Sequence, residues 1–467
     1  MDEDAPGSAQ DFSKQKRLVL CFDGTGNRFT GTDTDTNIVK IYKMLDRKVE
    51  NQYHYYQPGI GTYVEGSSTS WTPLSRLWSN FAMGLDQAVG TSFEHHVTAG
   101  YRFIMRYFSP GDCIYVFGFS RGAYTARFLS EMIHEVGLLS QGNDEMVRFA
   151  WKLFSDYQNS AKDESSKEFV ARRDLMKDFK ETFCRSGVNV HFLGLFDCVN
   201  SVGQFELPLF RSTPTYLPTP PATHIRHAVA LHERRVKFKP ALFSGFVART
   251  CDLKEVWFAG DHCDVGGGYG RLPSQKKLLS DEALAWMLDE LKNLPDTENK
   301  LAFEPYNPPR EKELRQGVGS ALDIRIALRP HDSLRLPALA LITIFWWFLE
   351  IIPLSSRLEL ENGKWIPRYW PPNMGGKRSV PHDANIHRSV DILRQNGVLG
   401  ADDMPKLGGP SPTLTLTPFI KGKFIEAMQD AKRKGANALA NLPSETAKSH
   451  EKLHTPSVVP NGKPHHT

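Results

Sequence analysis

The chain has 467 residues, 40% of them hydrophobic and 24% charged, which is enough apolar content for a sizeable core and too little for an integral membrane protein. Lys and Arg number 57 against 53 Asp and Glu, and the basic residues are dispersed, so the balance of +4 gives nucleic-acid binding no support. The six cysteines, Cys21, Cys113, Cys184, Cys198, Cys251 and Cys263, form no CxxC pair and no evident disulfide framework, which fits buried free thiols in a reducing compartment.

Residues 1–15 are acidic and polar where a secretory signal would start basic and continue apolar. They are expected to form a disordered tail, and the protein is expected to be cytoplasmic. RLVLCF at 17–22 reads as a buried strand and opens onto CFDGTGN. That loop holds Asp23, Gly24, Thr25 and Gly26, and a small glycine-rich turn after a strand can aim backbone N–H groups at an oxyanion. An aspartyl phosphatase would want a second Asp where Thr25 stands, and no GxxxxGK[ST] phosphate loop occurs. NIVKIYKML then sets Ile38, Ile41, Met44 and Leu45 at helical spacing, QYHYYQPG at 52–59 is the next strand, and residues 79–108 form a long helical segment.

CIYVFG at 113–118 runs into Gly118-Phe119-Ser120-Arg121-Gly122, a GxSxG pattern followed by a helix whose Ala126, Leu129, Ile133 and Val136 share one face. Between a strand and a helix, such a serine occupies a strained turn, and the flanking glycines remove Cβ atoms that would clash with their neighbours. A hydroxyl needs a base within reach to act as a nucleophile, and the base needs an orienting acid. On this elbow the chain order is Ser, acid, His, each just past the C-terminal end of a strand. VHFLGLF at 190–196 ends at Asp197, HAVAL at 227–231 follows, and VWFAG at 256–260 opens onto AGDHCDVGGGYG, which carries His262 and Asp264.

Ser120, Asp197 and His262 are therefore the candidate nucleophile, acid and base, with the N–H of Arg121 and those of the Gly24–Gly26 loop as oxyanion donors. His331, His382 and His387 are rival bases, none of them after a convincing sheet strand. Taken singly, Asp197 also reads as a turn or helix cap and His262 as a structural donor. A metal bound by His262 and Asp264 would lack further ligands nearby, so neither metal nor cofactor is expected.

DEALAWMLDEL at 281–291 begins with two acids, as a helix N-terminus prefers. From about Thr297 the pattern turns Pro-rich and includes the apolar run PALALITIFWWFLEIIPL, which contains Glu350 and is bounded by Pro337 and Pro353. Burial in the fold is the first reading of 338–354, contact with a lipid surface the second and a membrane span the last. KGKFIEAMQDAKRK at 421–434 reads as a solvated charged face, and residues 440–467 as a second disordered tail.

LVLCFDGTGN, VFGFSRGAYTAR, GLFDCVNSVG, LHERRVKF and VWFAGDHCDVGGGY stand in one order. Together they resemble the α/β-hydrolase family that contains the type VI secretion phospholipase effectors of bacteria, with stand-alone members in fungi. The resemblance covers about 16–275, with weaker echoes in ALRPHDSL, WWFLEIIPL and NIHRSV. It implies a catalytic triad at Ser120, Asp197 and His262, the residues reached above. It gives no role to Asp23 or Asp264; Asp23 is expected to fix the loop beside the elbow and Asp264 to shape the histidine loop. Cys198 and Cys263, each directly after a triad partner, are expected to be buried, with an oxidation switch as the alternative.

The sequence thus predicts an α/β fold, hydrolase-like, with a mostly parallel sheet wrapped by helices and a helical cap or insertion. The catalytic domain is expected at 16–296 and an accessory region packed on it at 297–439. The expected activity is serine-dependent cleavage of carboxylic esters, with a lipid or phospholipid substrate implied by the resemblance. An esterase or thioesterase for small soluble esters is one alternative, and a binding protein that has kept the fold without turnover is another.

Overall fold

The computed structural model describes residues 15–60, 88–160, 167–199, 221–243, 251–271, 277–295, 300–304, 329–335, 340–351, 357–361, 364–368, 370–381, 383–408 and 415–416. In chain order the main elements are β1 (Arg17–Phe22), α1 (Asn37–Met44), β2 (Gln52–Gln57), α2 (Ala88–Tyr107), β3 (Cys113–Phe119) and α3 (Arg121–Glu135). Then come α4 (Met146–Ser160), α5 (Lys167–Phe183), β4 (Val190–Phe196), β5 (Ala222–Ala230), β6 (Asp252–Phe258), α6 (His262–Gly266) and α7 (Ser280–Lys292). The last are α8 (Ala340–Ile351), β7 (Asn385–Ile386), α9 (Arg388–Gln395) and β8 (Thr415–Leu416).

The strands form one sheet in the order β8-β7-β6-β5-β4-β3-β1-β2, and every neighbouring pair is parallel. A parallel strand lies under helices on both faces, so its side chains must be apolar in both directions. In β1, Leu18, Leu20 and Phe22 join one core with Val97, Tyr101 and Ile104 of α2 and Leu129 of α3, while Val19 and Cys21 join the other with Ile38 and Ile41 of α1 and Met287 of α7. β3 alternates in the same way, with Ile114 and Val116 on the first face and Tyr115, Phe117 and Phe119 on the second. The apolar stripe expected after Gly122 is present: Ala126, Leu129, Ile133 and Val136 are all fully buried.

Strand order reverses at β1, which has β2 on one side and β3 on the other. Beyond the carboxyl ends of β1 and β3 lies the switch point where open parallel sheets bind ligands. The Asp23–Asn27 loop and Ser120 both leave the sheet there.

The chain beyond 297 does more than lie over the sheet. β7 pairs with β6 through Asn385↔Val256 and Ile386↔Trp257 and extends the sheet edge, and α9 packs Val390 and Leu393 against Trp257. Helix α8 carries most of the apolar run and divides it. Thr343, Trp346 and Glu350 are buried, whereas Ile344, Phe348 and Ile351 form an exposed stripe at 57%, 57% and 52%. Burial thus accounts for only one face of this segment. Among the described residues no helix is long and apolar enough to cross a membrane.

Candidate active site

Ser120 joins β3 to α3 with φ 59° and ψ −124°, a conformation costly for any residue with a Cβ, on the order of 1–3 kcal/mol. The neighbours hold it there: its N–H donates to the Phe196 carbonyl at 3.0 Å, and its own carbonyl accepts from Tyr124 N at 3.2 Å. The glycines act as their positions suggest. A Cβ on Gly118 would stand 2.5 Å from Ala123 Cα, and one on Gly122 would overlap the Asp23 carbonyl oxygen. The serine bond to Phe196 O also brings the elbow beside the end of β4, where Asp197 follows directly.

Asp197 is fully buried and has a positive φ of 37°. Its Oδ2 accepts from His262 Nδ1 at 2.6 Å, while Oδ1 accepts from Ala230 N at 2.9 Å. The guanidinium of Arg378 donates to both oxygens, Nη1 to Oδ1 at 2.7 Å and Nη2 to Oδ2 at 3.1 Å. Burial alone would raise the carboxyl pKa, but the Arg378 charge and the His262 hydrogen bond outweigh it and hold the group well below the usual carboxylate range.

His262 opens α6, whose N-terminus is fixed by a reciprocal capping box between Asp261 and Asp264. Its ring lies 4.7 Å from that of Phe119, the residue before Ser120, and 4.8 Å edge-on from Phe238. Burial among these aromatics lowers the imidazole pKa from its ordinary value, with the Asp197 bond opposing. The ring is therefore neutral at pH 7. Its Nδ1–H is oriented by a carboxylate and the Nε2 lone pair is left for a proton, an arrangement that can perform base catalysis.

Asp23 closes the floor of the neighbouring loop: Oδ1 accepts from Gly24 N and Thr36 Oγ1, each at 2.8 Å, and Oδ2 from Tyr56 OH at 2.8 Å. Burial pushes its carboxyl up to about 6. This geometry corrects one expectation. The Gly24 N–H already donates to Asp23, and the Gly26 N–H to the Ile60 carbonyl at 3.1 Å, so neither faces an oxyanion. Thr25 keeps its N–H, and its buried Oγ1 has no partner. Among the described residues of the 23–27 loop the Thr25 N–H is the donor with no acceptor, and the Arg121 N–H, in the first turn of α3, has no intrahelical acceptor either.

Asp264 turns away from the triad. It accepts from Asp261 N at 3.0 Å and holds His331 through that residue's N–H at 2.8 Å and Nδ1 at 2.7 Å. His331 is thus paired with Asp264 rather than Asp197. His387 caps α9, with its side chain accepting from Ser389 N, and stacks on Phe258 at 4.3 Å, a structural role. His382 lies outside the described residues. Cys198 is buried as expected, whereas Cys263 is half-buried; its dry surroundings and the neighbouring Asp261 still push its thiol up, as burial pushes that of Cys198 to about 12, so neither is the low-pKa thiolate an oxidation switch needs. Among the described residues no cluster of three or more His, Cys, Asp or Glu is disposed to hold a metal ion.

Three neighbours of the triad escape sequence reasoning. Arg378 lies in GGKRSV, a basic turn like any exposed one. Glu233 accepts from His262 N at 3.2 Å and pairs with Arg235 at 2.7 Å, although HERR reads as a surface charge cluster. Asp261 bonds Tyr269 OH at 2.8 Å and Ser333 Oγ at 3.1 Å; only its cap position before His262 could have marked it.

Comparison with known proteins bears on residues 16–290, which match the family model "T6SS, Phospholipase effector Tle1-like, catalytic domain". The uncharacterized protein YEL023C of Saccharomyces cerevisiae is 29% identical, over 81% of this chain and 79% of its own length. Two solved structures also match. One is an uncharacterized protein from Pseudomonas aeruginosa (18% identity, TM-score 0.32, 59% of this chain and 45% of that one). The other is the Tle1 effector bound to the VgrG spike of the type 6 secretion system (20%, TM-score 0.29, 56% and 53%). The chain spans about half the length of each of these two. Because the family model covers more than half of the sequence, from the strand before Asp23 to the helix after His262, the chain belongs to the Tle1-like phospholipase effector catalytic-domain family.

Proposed function

We propose that the protein is a serine hydrolase of lipid acyl esters, with phospholipids as the favoured class. The observation that carries this reading is the 2.6 Å contact of His262 Nδ1 with a buried, ionised Asp197, beside a serine on a strained elbow. Ser120 Oγ attacks the ester carbonyl while His262 Nε2 takes its proton. The tetrahedral oxyanion is met by the N–H groups of Arg121 and Thr25, a contribution of about 3 kcal/mol per donor. His262 then returns the proton to the departing alcohol, and water repeats the cycle on the acyl-enzyme. Asp197 keeps the imidazole in the productive tautomer throughout.

Lipid as substrate class rests on the family and on the exposed Ile344, Phe348 and Ile351 stripe of α8. The opposite face of that helix reaches the site, since Trp346 lies 5.5 Å from Phe238, which lies against His262. A peripheral site of action at a lipid surface goes with this reading. Wild type and Ser120→Ala, with folding checked by circular dichroism, should be assayed on phosphatidylcholine vesicles and on a short-chain nitrophenyl ester. Phospholipid turnover lost in Ser120→Ala is the expected result. Turnover confined to the soluble ester would move the substrate class to small esters, and turnover of neither would favour a binding protein.

A further inference from the structure

Arg378 lies well outside the segment that matches the family model, yet it is bound to the centre of the site. Its Nη1 bridges Asp197 Oδ1 and the Ala230 carbonyl at 2.8 Å, and its Nη2 bridges Asp197 Oδ2 and the Phe238 carbonyl. The side chain is 7% exposed and its partner carboxylate 0%, so this is a buried bidentate pair. A buried carboxylate whose partners were all uncharged, here His262 and the Ala230 N–H, would be driven toward its neutral form. Two fixed donors prevent that and also fix the plane in which the carboxylate meets the imidazole.

The turn that delivers Arg378 is itself anchored from α8. Glu350, 1% exposed, accepts from Asn373 Nδ2 at 2.5 Å, Gly375 N at 3.0 Å and Val236 N at 2.6 Å, and Arg234 Nε donates to the Gly375 carbonyl at 2.8 Å. α8, the 373–378 turn and the loop after β5 are thereby joined to the acid of the triad.

We propose that Arg378 is a positioning residue of the triad: by gripping both oxygens of Asp197, including the one that meets His262, it keeps the acid ionised, and by sharing the acid's charge it weakens His262 as a base. The inference rests on the serine-hydrolase reading. The other charged groups around the pair are Glu233 and Arg235 from the loop after β5, which act on His262, Asp261 and behind it Asp264 on the histidine's own loop, and Arg127 and Glu131 on α3, which act on the neighbouring Cys198. His227, which accepts from Cys198 N at 3.1 Å and pairs with Glu255, completes the set. Removal of one positive charge from this surround favours the imidazolium, so the base titrates at higher pH.

The test is the rate of fluorophosphonate labelling of Ser120 against pH in wild type, Arg378→Gln and Arg378→Lys, which needs no knowledge of the natural ester. In Arg378→Gln the plateau rate should fall at least tenfold and the acidic limb should move up by about 0.5–1 pH unit, less than a charge in direct contact would give. Arg378→Lys keeps the charge but not the two-pronged grip, so its limb should stay near wild type while the rate falls several-fold. A folded Arg378→Gln with an unmoved limb, whatever its rate, makes the residue a structural staple and overturns the proposal. Should Arg378→Gln not fold, Arg378→Lys decides: a wild-type rate overturns the proposal, and a lowered rate on an unmoved limb supports it. Wild-type protein that is never labelled overturns the triad reading as well, so the two failures are distinct.

Discussion

The sheet up to residue 290 and the chain from 329 to 408 build the same site by different means. In the first, each proposed catalytic residue follows a strand that carries it: Ser120 after β3, Asp197 after β4, His262 shortly after β6. In the second, Arg378 and Glu350 reach the site only through tertiary contacts, on a turn and on the buried face of a helix with an exposed apolar stripe. On the proposed reading, chemistry is supplied by the regular part of the fold, and its alignment by the irregular part. If that division holds, changes to the residues that follow the strands should abolish the reaction outright, and changes in the second region should lower activity only in part, together with stability.

Asp197→Asn should have the largest effect. An amide leaves His262 without its tautomer control and Arg378 without its counter-charge, so kcat should fall by about 10⁴-fold. The unpaired buried guanidinium should also lower stability by about 3 kcal/mol, readable in urea unfolding. Retention of more than a tenth of wild-type kcat in a folded Asn variant would break the comparison on its sheet side.

Glu350→Ala comes next. It touches no triad residue but leaves the N–H groups of Val236 and Gly375 without their acceptor and the Asn373 amide with only the Arg234 carbonyl, at a cost of about 2–4 kcal/mol. Loss of anchoring at Arg378 should lower kcat about tenfold with KM for a soluble ester nearly unchanged. Full activity at reduced stability would show that the C-terminal part is a scaffold without a share in alignment.

The smallest effect is expected at the outer face of α8. Phe348→Asp places a charge in the exposed stripe and should reduce turnover of vesicle phospholipid several-fold while leaving a soluble nitrophenyl ester unaffected. Equal loss on both substrates would assign the stripe to folding instead of lipid contact.

Much of the sheet was legible in the sequence because its signals are local. RLVLCF and VHFLGLF are apolar on both faces, as parallel strands must be, and they match β1 and β4 residue for residue. GFSRG could be read as an elbow from its flanking strand and helix, and the glycine contacts agree. What stayed hidden depends on distant partners. β7 is two residues long and gains its strand character from Val256 and Trp257 of β6 on one side and Thr415 and Leu416 of β8 on the other, so no periodicity announces it. That Gly24 and Gly26 turn their N–H groups to Asp23 and Ile60, leaving Thr25, follows from backbone packing that a glycine-rich string does not encode. Arg378 is a basic residue in a polar turn until Asp197, 181 positions away, is beside it.

The most direct measurement of the central claim is mass-spectrometric mapping of a fluorophosphonate adduct on the folded wild-type protein and on His262→Ala. A single adduct on Ser120 that forms at least a thousandfold more slowly in His262→Ala is the result this account requires, consistent with a base that activates the serine. An unmodified Ser120, or one labelled equally fast without His262, would contradict it.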